Sequence, residues 1–126
     1  MGSDDDIPAN GQDLEVRTER AADGAVVVKV VGELDLSTQE QLRDALVAAA
    51  DAENPVVVDL SECAFIDSSG IRALLVGHEA LAGNGRGGRM VVAGPQPPVQ
   101  RVLEMTGLGE AIPVHESVEK ALQSFG

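Results

Sequence analysis

Tryptophan and tyrosine are absent from the 126-residue chain and only two phenylalanines are present. The chain therefore lacks the aromatic platforms on which single-stranded nucleic acids stack. Lysine and arginine together number 9 against 21 aspartates and glutamates, a formal net charge of −12. Phosphate backbones are bound by cations that displace counterions, so this balance excludes nucleic acid and points to a neutral or basic protein as partner. Cys63 is the sole cysteine, which rules out an intrachain disulfide and gives no sign of an oxidising compartment. Its setting, Cys63-Ala64-Phe65-Ile66, suits a small core residue better than a reactive thiol. One cysteine and two separated histidines supply no metal-ligand cluster, and neither metal nor cofactor is expected. No apolar run approaches the ~18 residues of a membrane span. Asp4, Asp5 and Asp6 stand where a secretory leader would carry lysine or arginine, so a cytoplasmic location is expected.

What is present is a hydrophobic fraction of 44%. A chain of this length buries roughly two-thirds of its unfolded surface, enough for one core without staples. Residues 1–13, polar and acidic, are expected to be a disordered tail, and 14–126 one domain. The β-branched run Val26-Val27-Val28-Lys29-Val30-Val31, ending at Gly32, predicts a strand, with a shorter partner over 14–17 across a turn at 21–24. Ser37 and Glu40 form a capping-box pattern ahead of Leu42, Ala45, Leu46 and Ala49 at helical spacing, which predicts a helix over 38–51. Val56-Val57-Val58-Asp59-Leu60 reads as a strand covered on both faces. A second helix is expected from Ser68, with Ile71, Leu74, Leu75, His78 and Leu81 on one face. A strand at 90–93 follows the glycine-rich 83–88. Pro97 and Pro98 then open a third helix, with Gly107 as its left-handed terminator. A last strand at 112–114 and a helix from Ser117 to Phe125 complete the order. Strands alternating with helices imply an α/β fold with a mainly parallel or mixed sheet.

Three candidate chemistries fail on placement. Gly83-Asn84-Gly85-Arg86-Gly87-Gly88 matches the dinucleotide fingerprint in letters, but it leaves a helix and enters a strand, the reverse of what pyrophosphate binding requires. A serine hydrolase pairing of Ser68 with His78 is blocked because ten residues along one helix separate them by ~15 Å. Arg86, Arg89 and Arg101 are candidates for an anion site, but scattered arginines are more commonly solvated cations. The segment Phe65-Ile66-Asp67-Ser68-Ser69-Gly70 is left, where a buried-type strand feeds a helix. Two readings stand together there. Asp and Ser are ordinary helix caps. A serine hydroxyl at a helix N-terminus is also a favourable place for a phosphate, which would add about −1.5 to −2 of charge beside Asp67.

Four segments, Gly32-Glu33-Leu34-Asp35, Val57-Val58-Asp59-Leu60-Ser61, Ile66-Asp67-Ser68-Ser69-Gly70-Ile71 and Pro98-Val99-Gln100-Arg101-Val102-Leu103-Glu104-Met105-Thr106-Gly107-Leu108, resemble the STAS domain of bacterial anti-sigma factor antagonists in order and spacing. The likeness runs from Leu14 to about Phe125. It implies a single STAS domain over 14–126, with a mixed four- to five-stranded sheet and about four helices packed mainly on one face. It also implies a partner-switching regulator of transcription, of the kind found in stress responses, and not an enzyme. By the resemblance, the unphosphorylated protein binds an anti-sigma factor that is also a serine kinase and releases the sigma factor. ATP-dependent phosphorylation of Ser68 ends that binding, and a metal-dependent, PP2C-type serine phosphatase restores it. Asp35, Asp67, Ser69, Gly70 and Arg72 are implied to form the partner-binding surface, with Asp35 near the serine. Arg72 departs from the Gly-Leu-Gly that often follows the serines in the family, and is expected to meet the kinase or pair with Asp67. STAS-like domains also serve as structural or regulatory subunits of signalling or transporter-associated assemblies, which is the alternative role.

Overall fold

The computed structural model describes residues 14–21, 24–50, 54–83 and 89–125. The expected acidic tail at 1–13, the glycine connector over 84–88 and the C-terminal end of the first expected helix lie outside those residues.

Strand β1 (Leu14–Arg20) pairs antiparallel with β2 (Val26–Leu34). Beyond it β3 (Val56–Ile66), β4 (Met90–Ala93) and β5 (Val114–His115) add in parallel, giving one sheet in the order β1-β2-β3-β4-β5. Each parallel step is bridged by helix: α1 (Gln39–Ala50) after β2, α2 (Ser68–Gly83) after β3, then α3 (Pro97–Thr106) and the single turn α4 (Leu108–Ala111) after β4. Parallel crossovers are right-handed, and strands added in one direction therefore place all these helices on the same face. The last helix, α5 (Val118–Phe125), packs on the other.

Side-chain alternation divides the valines accordingly. Val26, Val28, Val30, Val56, Val58 and Leu60 join Leu42, Leu46, Leu74, Leu81, Val99 and Leu103 in the main core. Val57, Val91 and Ala93 face Ala121, with Val27, Val118, Leu122 and Phe125 against them. Both faces of β3 are thus covered, which is why 56–60 carries so little polar alternation. Away from α5 the second face is charged: Lys29 of β2 pairs with Glu62 at 2.6 Å, and Arg17 of β1 with Glu15 at 2.7 Å.

Several boundaries shift from those the sequence suggests. β2 does not stop at Gly32 but continues to Leu34, with register irregularities between Lys29 and Val31 and between Gly32 and Glu33. β3 runs on to Ile66 beside it. The Ser37/Glu40 capping box is not formed. Thr38, fully buried, takes the central role instead: its hydroxyl donates to the Glu33 carbonyl at 2.7 Å and accepts the Asp35 N–H at 2.9 Å. Leu75 is exposed rather than part of the apolar face of α2. Gly107 has φ 73°, the left-handed conformation that ends α3 as expected. No helix among the described residues is long and apolar enough to cross a membrane.

Candidate functional site

The parallel strands β2 and β3 end side by side at Leu34 and Ile66, and the loops leaving them meet at the carboxyl edge of the sheet. One hydrogen bond ties the two exits together: the Asp67 N–H donates to the Leu34 carbonyl at 3.2 Å. Asp67 then caps α2. Its Oδ1 accepts the N–H groups of Ser69 at 2.9 Å and Gly70 at 3.2 Å, and its carbonyl accepts that of Ile71 at 3.0 Å. The aspartate thus satisfies the Ser69 and Gly70 donors of the first turn without either serine hydroxyl, while the Ser68 N–H has no acceptor among the described residues.

Gly70 is fixed by packing. A Cβ placed there would lie 2.7 Å from Cγ1 of Ile66, 2.8 Å from Cγ of Leu34 and 3.0 Å from the Leu34 carbonyl oxygen. The first turn of α2 therefore presses against the end of β2 through a residue with no side chain, while Ile71 anchors the next position in the core.

Above this buried floor the surface opens into a shallow groove of about 270 Å³ lined by Leu36, Gln39, Ser68, Ser69 and Arg72. Ser68 is exposed, and among the described residues its hydroxyl makes no hydrogen bond to protein. Arg72 is exposed one turn further along α2. The expected pairing of Arg72 with Asp67 is not made among the described residues, and Oδ1 of Asp67 serves the cap instead. Leu36, an apolar side chain 74% exposed, forms part of the opposite wall and carried no signal in the sequence beyond its place after Asp35.

Asp35 follows Leu34 and precedes Leu36, so the fold brings its turn to the groove. Its carboxylate, however, folds into its own loop. Oδ1 accepts from the Ser37 hydroxyl at 2.8 Å and the Ser37 N–H at 3.0 Å. These bonds, the Ser37 hydroxyl foremost, hold the Asp35 carboxyl below the usual aspartate range. Asp35 shapes the loop that presents Leu36 and Gln39.

Of the other nucleophiles near this edge, the Ser69 hydroxyl lines the same groove and is also without a hydrogen bond among the described residues, but it is half-buried where Ser68 is exposed. Cys63 is buried, its Sγ donates to the Phe65 carbonyl at 3.3 Å, and burial pushes its thiol up. The two histidines lie elsewhere, around a separate hollow with Arg89 and Phe125. No group of three potential metal ligands occurs among the described residues.

A family model described as "Mlab, STAS domain" matches residues 18–116. An anti-sigma F factor antagonist of Paenibacillus polymyxa is 33% identical over 102 residues, covering 79% of this chain and 85% of the relative. The crystal structure of an anti-sigma factor antagonist from Mycobacterium paratuberculosis superposes with a TM-score of 0.77 at 29% identity, covering 93% of this chain and 97% of that one. The Bacillus cell fate determinant SpoIIAA in its phosphorylated form superposes with a TM-score of 0.66 at 25% identity, covering 89% of this chain and all of that one (100%).

Proposed function

The chain belongs to the STAS domain family, and from that membership we propose that it is an anti-sigma factor antagonist switched by phosphorylation of Ser68. The unmodified protein binds an anti-sigma factor with serine kinase activity through the groove edge, using Ser69, Arg72, Asp67 and the turn shaped by Asp35, over the tight floor that Gly70 permits. Binding releases the sigma factor. The kinase passes the γ-phosphoryl group of ATP to the Ser68 Oγ, the hydroxyl proton is lost and ADP leaves. A PP2C-type phosphatase hydrolyses the ester and resets the switch. The protein acts by binding rather than catalysis, as a cytoplasmic regulator.

One observation supports this above the others. Ser68 is exposed at the first position of α2, and its hydroxyl makes no hydrogen bond among the described residues, while Asp67 alone supplies the cap. A serine kept for structure would be engaged. Neither hydroxyl of the Ser68-Ser69 pair is engaged among the described residues, and of the two Ser68 is the exposed one. The names of the relatives and the phosphorylated form of SpoIIAA point the same way. A phosphate there adds about −1.5 to −2 of charge on a protein already at −12, beside the Asp67 carboxylate. Such a change repels a partner without disturbing the buried floor.

Incubation with ATP and the anti-sigma factor kinase, followed by peptide mass spectrometry, is the test. One phosphate on Ser68 is expected. An unmodified protein, or phosphate only outside residues 67–70, would remove the mechanism.

A further inference from the structure

We propose that Arg72 is the intramolecular counter-ion of the phosphate on Ser68, so that phosphorylation both adds negative charge and withdraws the one cation that, among the described residues, lines the groove. This rests on Ser68 being the acceptor. The usual partner of a phosphate at such a position is the helix N-terminus itself, through its free N–H groups. Here most of that partner is taken. The Ser69 and Gly70 N–H groups donate to the Asp67 carboxylate and the Ile71 N–H to the Asp67 carbonyl, so among the described residues the Ser68 N–H is the one first-turn donor left without an acceptor, and the phosphate meets a cap of its own sign. Its remaining oxygens need donors from side chains.

Arg72 is placed to supply them. Positions four apart on a helix share a face, and Ser68 and Arg72 line the same groove of about 270 Å³. Among the described residues no carboxylate lies within ion-pair distance of the Arg72 guanidinium. Its planar fork suits a phosphate oxygen pair, and Gln39 on the facing wall offers a neutral amide donor. The phosphate folds down along α2 instead of projecting into solvent. A partner carboxylate that would have met Arg72 then finds the guanidinium neutralised.

The test installs phosphoserine at position 68 during translation, so that it does not depend on any kinase. If Ser68 is not a kinase substrate, the mass-spectrometric assay above fails while this one still reports on Arg72. The second ionisation of the phosphate, ordinarily near pH ~6, is followed by phosphorus NMR titration in the otherwise unaltered protein and in Arg72→Gln, Arg72→Lys and Arg20→Gln. Arg20 lies at the other end of β1 and β2, about 25 Å away by strand rise, and changes the net charge equally. Pairing predicts that Arg72→Gln raises the midpoint by about 0.3 of a pH unit, the size of an exposed helical ion pair. Arg72→Lys retains most of the depression, and Arg20→Gln leaves it in place. A rise under about 0.2 of a unit in Arg72→Gln, or an equal rise in Arg20→Gln, would overturn the proposal.

Discussion

Replacing Gly70 with alanine is the sharpest probe of how the groove is built. The added methyl would sit 2.7 Å from Ile66 Cγ1, 2.8 Å from Leu34 Cγ and 3.0 Å from the Leu34 carbonyl oxygen. Little there can yield: Leu34 is fully buried, Ile66 is 2% exposed, and the carbonyl already accepts the Asp67 N–H. Overpacking of this kind costs about 1–3 kcal/mol, while alanine in place of a helical glycine returns up to about 1 kcal/mol. The net expectation is a loss of about 1–2 kcal/mol, or a melting temperature lower by roughly 4–8 °C at about 4 °C per kcal/mol for a domain of this size. Gly109→Ala is the internal control, since its methyl would meet only Val114 Cγ2 at 4.0 Å. It should be neutral or slightly stabilising. Urea and thermal unfolding of the two variants measure the difference. Gly70→Ala as stable as the parent, or Gly109→Ala equally damaged, would refute the close approach of α2 to β2.

Thr38→Val leaves the Glu33 carbonyl and the Asp35 N–H without their partner and is expected to cost about 1–3 kcal/mol in urea unfolding, whereas Thr38→Ser keeps both bonds and most of the stability. Asp67→Ala removes the acceptor for the Ser69 and Gly70 N–H groups, at about 1 kcal/mol, and amide exchange should accelerate at those two positions first. The Asp35 carboxyl is held below its unfolded value by the Ser37 and Thr38 donors. Its contribution is therefore fully present above about pH 4 and is lost as pH falls through the lower folded value. In acid the parent should lose stability more steeply than Asp35→Asn, read from urea midpoints across that range.

Much of the fold was legible because its signals are local. Near-continuous valine in 56–60, the Ser68 start of α2 and the left-handed Gly107 each follow from a short window, and all three stand in the structure. What was missed depends on neighbours distant in sequence. β2 and β3 extend past Gly32 and Leu60 because they pair with each other out to Leu34 and Ile66, despite exposed residues that break the pattern. Ser37 was a plausible cap by spacing, yet Thr38 is the buried hydroxyl, since only the bulged end of β2 puts the Glu33 carbonyl above it. At the site, Asp67 and Gly70 had the right residue types, but their division of labour was not visible. That one caps, the other makes room, and Ser68 is thereby left unengaged emerges only when α2 is set against Leu34.

In the proposed switch a single phosphate on Ser68 reverses a binding decision. Calorimetric titration of the anti-sigma factor kinase with unmodified protein, and with protein carrying phosphoserine at 68, compares the two states. Tight binding of the unmodified form and at least about tenfold weaker binding of the phosphorylated form, a difference of about 1.4 kcal/mol or more, is the predicted result. Equal affinity of the two forms would contradict it.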